Sequence, residues 1–137
     1  MQETALTPFD RIGGRAAITL LVDRFYDLME REPRFAELRA MHGADLAPMR
    51  RSLAGFLGGW AGGPRDWFDE NPGKCMMSAH ASLPITRQTA DQWVEAMGDA
   101  FAQCGLADHP VGQLMMERFE LMARGMVRAE TGENPAA

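Results

Sequence analysis

Residues 15–30, "RAAITLLVDRFYDLME", decide the fold class of this 137-residue chain. Their large apolar side chains recur every three or four positions, which places them along one side of an α-helix. Tyr26 lies at the edge of that stripe, where its ring can point inward. The stretch therefore predicts a helix with one buried face. Its buried positions are Ile18, Leu21, Val22, Phe25, Leu28 and Met29.

The same spacing recurs in three later stretches of the chain. It predicts long helices over about 46–60, 86–105 and 110–129, the second of them opened by the N-cap residue Thr86. No run of β-branched residues alternates with polar ones, so no strand is expected. The sequence predicts an all-α chain forming a single domain over 1–137, with 131–137 as a frayed tail.

Shorter elements are expected between the long helices. Thr7 is a suitable N-cap for a short helix that ends at the glycine pair 13–14. The stretch "RFAELRAM" predicts one or two helical turns, and 73–81 a short helix carrying His80. Residues 64–72, "PRDWFDENP", have prolines near both ends and are expected to be irregular.

Composition excludes several classes of protein. The formal net charge is −5, and no basic run exceeds the pair Arg50-Arg51, so nucleic acid is not an expected partner. Two cysteines, Cys75 and Cys104, do not make a disulfide framework in a chain of this length. The start lacks a long apolar run, which predicts no signal peptide, no membrane span and a cytoplasmic location with reduced thiols.

The three histidines limit the metal sites that this chain can form. A di-iron bundle needs Glu-x-x-His pairs, and no histidine here follows a glutamate at that spacing. Zinc needs four ligands in short-spaced pairs, which Cys75 and His80 alone do not supply. Haem needs one histidine on an apolar helix face. His80, flanked on its face by Met76, Met77 and Leu83, is therefore either a haem ligand or a packed core residue.

Five motifs in register resemble the truncated haemoglobins, specifically their second group. The resemblance covers about residues 9–128. Seventeen residues separate Gly63 from His80, and thirteen separate His80 from Trp93, as in that family. The motifs are "FDRIGG" (9–14), "DRFYDLM" (23–29), "FLGGWAGGP" (56–64), "AHASLPI" (79–85) and "DQWVEAM" (91–97).

The resemblance implies a globin-like two-over-two helical sandwich around haem b, with His80 as the proximal iron ligand. Tyr26, Trp93 and His42 would be the polar residues on the ligand side, with packing in the core as the alternative for each. The remaining implied haem neighbours are apolar: Met49 and Leu53 on the distal helix, with Met76, Met77, Leu83, Ile85 and Met97. The chain departs from its relatives before His80, where many are Arg-rich. Lys74, Arg50 and Arg51 are then the candidates to pair with the haem propionates.

The function implied by the resemblance is binding of dioxygen and other diatomic ligands at a five-coordinate haem iron. Strong donors from Tyr26 and Trp93 would slow ligand release, which favours a redox or detoxifying role over transport. Peroxidase or nitric oxide dioxygenase side activity would then need an unidentified reductant, and the protein would be a monomer or homodimer. A haem-free globin-fold module for interaction or sensing is the alternative.

Overall fold

The computed structural model describes residues 6–72 and 85–127. Within them lie seven α-helices and one 3-10 turn, and no β-strand is present among these residues. In chain order the helices are α1 (Pro8–Ile12), α2 (Gly14–Arg31), α3 (Ala36–Ala40, preceded by the 3-10 turn Pro33–Phe35), α4 (Ala47–Trp60), α5 (Asp66–Glu70), α6 (Arg87–Gln103) and α7 (Pro110–Gly125).

The termini of α1 follow from local chemistry, as expected. Thr7 accepts a hydrogen bond from the Asp10 backbone N–H at 3.1 Å, and the Asp10 carboxylate accepts one from the Thr7 N–H. This reciprocal capping box satisfies two donors that the helix start would otherwise leave unpaired. Gly13 ends α1 in the left-handed region with φ 117°, a conformation that favours glycine.

Two helix pairs build the core. Helix α2 packs against α4 on one side and α6 on the other, and α6 packs against α7. Four phenylalanines are fully buried where these helices meet: Phe25, Phe35, Phe101 and Phe119. Helix α2 buries every position of its predicted stripe, whereas α4 leaves Met49 exposed, and the all-α expectation is confirmed.

Three details of the sequence prediction are wrong. Residues 64–72 are not wholly irregular, because α5 forms within them. Its Trp67 and Phe68 pack on Phe56 with ring centroids 5.3 and 5.5 Å apart, so aromatic burial stabilises a helix that the weak local sequence does not predict. Helix α7 ends at Gly125, earlier than predicted, and α6 ends at Gln103. The predicted helix over 73–81 and the tail over 131–137 lie outside the described residues.

No helix among residues 6–72 and 85–127 has the length and hydrophobicity needed to cross a membrane.

A smaller apolar cluster lies beside the main core and is formed by Ile85, Ala90, Ala123 and Met126. Trp93 packs against both clusters and so lies at their junction.

Gly112, in the first turn of α7, tests how closely this helix packs against the segment that precedes it. A Cβ at this position would collide with the backbone carbonyl of Leu106. We expect Gly112→Ala to lower the free energy of unfolding by about 1–3 kcal/mol, as overpacking does, measured by urea denaturation.

Gly98→Ala is the matched control, because its added Cβ would lie 3.9 Å from the Met116 methyl in ordinary contact. Inside α6 that change should be neutral or stabilise by up to about 1 kcal/mol, since alanine favours helix more than glycine does. Equal effects of the two substitutions would contradict the packing described here.

Candidate functional site

Tyr26 lies in the middle of α2 with its ring inside the protein. The residue is only 4% exposed. Its ring makes edge contacts with Phe25 and His42, with centroids 4.9 and 5.9 Å away. The fold thus buries the Tyr26 ring between helices, although the residue lies at the boundary of the apolar stripe of α2.

Trp93 reaches the same region from α6. Its ring contacts Phe25 at 5.4 Å and Phe119 at 5.9 Å, both edge-on. Phe25 therefore touches both Tyr26 and Trp93 and fixes the spacing of their rings. The structure brings together two polar aromatic side chains that lie 67 residues apart in the sequence.

His42 follows α3 and is half-buried. Its Nδ1 lies 2.9 Å from the carbonyl oxygen of Leu38. A carbonyl only accepts hydrogen bonds, so Nδ1 is the donor in this contact and carries a proton. The edge contact places this histidine beside Tyr26.

The polar atoms of Tyr26 and Trp93 share an unusual feature. Within residues 6–72 and 85–127, neither the Tyr26 hydroxyl nor the Trp93 indole N–H donates a hydrogen bond to the protein. Trp67, by contrast, donates from Nε1 to the Ser52 hydroxyl at 3.0 Å. No side-chain N or O atom sealed from solvent lacks a partner in the described part. Neither donor is therefore committed to a partner among these residues, and both can donate to a polar ligand atom.

Burial keeps Tyr26 in its protonated, hydrogen-donating form. Loss of solvation raises the pKa of Tyr26 from 10.0 to about 12, against an opposing effect of the nearby Arg50 charge. The folded state thus favours the neutral phenol, so its contribution to stability is complete below pH 10 and is lost as pH rises through 12.

We expect ultraviolet absorbance to show a tyrosinate midpoint near pH 12 in the folded protein and near 10 in urea. Tyr26 is the only tyrosine in the chain, so the signal has one source. The free energy of unfolding should fall by on the order of 2–3 kcal/mol across this interval. A folded midpoint near 10 would contradict the burial of the phenol.

The apolar residues predicted to surround the cofactor occupy different environments. Met97 on α6 is fully buried, and Ile85 belongs to the smaller apolar cluster. Leu53 on α4 is partly buried against the main core, whereas Met49 is 41% exposed. Helix α4 therefore presents Leu53 to the interior and Met49 toward open space.

The rest of the predicted site lies outside the described residues. This applies to the predicted iron ligand His80 and to its apolar neighbours Met76, Met77 and Leu83. Lys74, a candidate partner for the haem propionates, lies there as well. The ligand role of His80 remains a prediction from the sequence.

The two candidate arginines differ in their surroundings. Arg50 pairs with three carboxylates of α2: Asp23 at 3.1 Å, Asp27 at 2.9 Å and Glu30 at 3.6 Å. Arg51 is exposed and has no ion pair or hydrogen bond with the described residues. The fold thus holds Arg50 for contacts within the protein, whereas a propionate contact of Arg51 stays a prediction from the sequence.

Sequence reasoning missed two contributors to this region. Phe25 was recognised only as a core residue, although it joins Tyr26 to Trp93. Arg50 was considered only for propionates, yet its guanidinium carbon lies 5.7 Å from the centre of the Tyr26 ring. The acidic row Asp23, Asp27 and Glu30 on α2 was the available signal, because its spacing of four and three marks one helix face.

Known proteins of similar sequence and structure are globins. The family model for bacterial-like globins matches residues 7–128. The group 2 truncated hemoglobin YjbI of Bacillus subtilis (strain 168) is 30% identical over 134 residues, covering 98% of this chain and 98% of that protein.

Two solved structures give the same result for the fold. The group II 2-on-2 hemoglobin from the plant pathogen Agrobacterium tumefaciens superimposes with a TM-score of 0.87 at 26% identity, covering 95% of this chain and 99% of that one. A truncated oxygen-avid haemoglobin from Bacillus subtilis gives 0.81 at 31% identity, with 89% and 99% covered.

Fold and site thus define a globin built from two packed helix pairs. The chain belongs to the bacterial-like globin family and is a truncated haemoglobin of the second group. Haem is the cofactor that membership of this family implies. The described residues fit haem. Helices α4 and α6 supply buried apolar side chains, and Tyr26 and Trp93 supply two hydrogen-bond donors without partners among the described residues.

Proposed function

We propose that this protein binds dioxygen and other diatomic ligands at haem b, with His80 as the single protein ligand of a five-coordinate iron. Haem, when bound, would supply the iron that holds the diatomic ligand and places partial negative charge on it. The Tyr26 hydroxyl and the Trp93 indole N–H donate hydrogen bonds to the ligand and so stabilise this negative charge. The observation that carries the proposal is that these two donors lie together around Phe25 without partners in the described protein.

The strength of two such donors argues against simple transport. Hydrogen bonds to charged groups contribute about 1.5–3 kcal/mol each, so both together contribute about 3–6 kcal/mol. At about 1.4 kcal/mol per factor of ten, this slows ligand release by roughly 10² to 10⁴. A protein that releases dioxygen so slowly delivers it poorly, so we assign a role in redox chemistry or in detoxification of reactive oxygen and nitrogen species.

Two further facts support this assignment. The Bacillus subtilis protein of similar structure is described as oxygen-avid, which is the behaviour that strong donors produce. Tyr26 also stays protonated across the physiological range, because its pKa lies near 12. A catalytic cycle would require a reductant, whose identity the proposal leaves open.

The proposal is tested first by titrating the purified protein with haem and recording spectra, oxidised and then reduced with and without carbon monoxide. We expect a saturable one-to-one complex whose Soret band shifts when carbon monoxide is added. Absence of saturable binding would overturn the proposal and favour a haem-free interaction module.

His80→Ala should abolish stoichiometric haem binding, because it removes the proposed iron ligand. His109→Ala is the matched control. His109 caps α7 by accepting a hydrogen bond from the Val111 N–H at 3.1 Å, so its loss costs about 1 kcal/mol of stability without changing haem stoichiometry. A normal haem spectrum in His80→Ala would remove His80 from the ligand role.

A further inference from the structure

Arg50 occupies a defined position between the two walls of the candidate site. It lies in the first turn of α4, where its guanidinium reaches across to α2. Nη1 donates to both the backbone carbonyl and the carboxylate of Asp23, each at 3.1 Å. Nη2 donates to Asp27 at 2.9 Å and lies 3.6 Å from Glu30. Four acceptor atoms on one helix therefore fix the plane of the guanidinium.

The same guanidinium lies over the ring of Tyr26. Its carbon is 5.7 Å from the ring centroid, within the range of a cation–π interaction. The Arg50 side chain is only 24% exposed, so water screens this charge less than that of a surface arginine. The acidic row that holds Arg50 brackets Tyr26 along α2, with Asp23 three residues before it and Asp27 directly after.

We propose that Arg50 is a positioning residue of the ligand pocket, which fixes the Tyr26 ring and strengthens its hydroxyl as a hydrogen-bond donor. A positive charge beside a phenol stabilises negative charge on its oxygen, and a phenol that yields charge more easily donates a stronger hydrogen bond. This inference rests on the proposed donor role of Tyr26.

The electrostatics of Tyr26 support the assignment. Burial raises the pKa of this tyrosine, and the charge of Arg50 acts in the opposite direction. Arg50 is thus the described cation that moves the Tyr26 hydroxyl toward stronger donation. His42 is the other titratable side chain shown in contact with the ring.

Arg50→Met tests the inference. Methionine keeps an apolar side chain of similar reach, and it removes both the positive charge and the hydrogen bonds of the planar guanidinium. We expect dioxygen release from the haem-loaded protein to become about two- to fivefold faster. In a Tyr26→Phe background the same substitution should leave the release rate unchanged, because the hydroxyl on which Arg50 acts is gone. Arg50→Lys keeps the positive charge without the planar guanidinium, so its dioxygen release should be slower than that of Arg50→Met.

Arg34→Met is the matched control. Arg34 also bridges helices, pairing with Glu95 and Asp99 at 2.6 Å each, but its guanidinium lies over Phe35 and not over Tyr26. We expect this variant to alter the melting temperature and to leave the release rate unchanged.

A measurement without haem completes the test. In the haem-free protein, Arg50→Met should move the tyrosinate midpoint of Tyr26 to higher pH, whereas Arg34→Met should not. An unchanged release rate in Arg50→Met, or an equal acceleration in the Tyr26→Phe background, would overturn the inference. If Tyr26→Phe itself leaves the release rate unchanged, the proposed donor role fails, and the haem-free titration still decides whether Arg50 acts on Tyr26.

Discussion

Dioxygen release from the haem-loaded protein should become about 10²- to 10⁴-fold faster when Tyr26 and Trp93 are both replaced by phenylalanine. Each replacement keeps an aromatic ring against Phe25 and removes one donor. The single variants should each account for about 10- to 10²-fold if each donor reaches the ligand independently. Stopped-flow mixing of the oxygenated protein with a dioxygen scavenger or with carbon monoxide measures these rates.

Trp67→Phe is the matched control for the tryptophan. Trp67 donates its indole N–H to the Ser52 hydroxyl and packs on Phe56, so it lies outside the pocket. Its replacement should lower stability slightly without changing the release rate. Unchanged release rates in both Tyr26→Phe and Trp93→Phe would end the argument for distal hydrogen bonds.

Phe119→Ala should lower the free energy of unfolding by about 3–5 kcal/mol. Phe119 has no exposed surface and contacts three aromatic rings, those of Trp60, Trp93 and Phe101, with centroids 5.0 to 6.0 Å away. Removing its ring leaves a cavity where α6 and α7 meet. Urea denaturation followed by circular dichroism measures the loss.

Leu121→Ala, two residues further along α7, provides the control. Leu121 is 69% exposed, so its truncation should change stability by no more than about 0.5 kcal/mol. A loss of less than 1 kcal/mol in Phe119→Ala would show that the packing between α6 and α7 is not as described.

The sequence predicted the long helices well because their burial pattern is periodic. The stripe of α2 and the caps Thr7 and Thr86 are local features, and the structure confirms them. Helix α5 is not predicted, because Trp67 and Phe68 form it by packing on Phe56, which belongs to a different helix, α4. A contact between elements cannot be read from the periodicity of one element.

The candidate site likewise combines residues that the sequence indicates with contacts that depend on three-dimensional packing. Tyr26 and Trp93 were selected by the family resemblance, and neither helical spacing nor composition distinguishes them from core aromatics. Their common contact with Phe25 depends on how α2 and α6 cross, which only three-dimensional packing reveals. The partners of Arg50 likewise depend on the approach of α4 to α2.

The adjacency of Phe25 and Tyr26 on α2 has a consequence for engineering this protein. Consecutive residues on a helix point about 100° apart, so one turn of α2 supplies Phe25 to the hydrophobic interior and Tyr26, the proposed ligand donor, in the next position. A substitution at Phe25 chosen to improve thermal tolerance would also displace Tyr26 and Trp93. We therefore expect heat resistance to be linked with the proposed retention of dioxygen, and a designer who wishes to separate them should work on α7, beyond its contacts with Trp93.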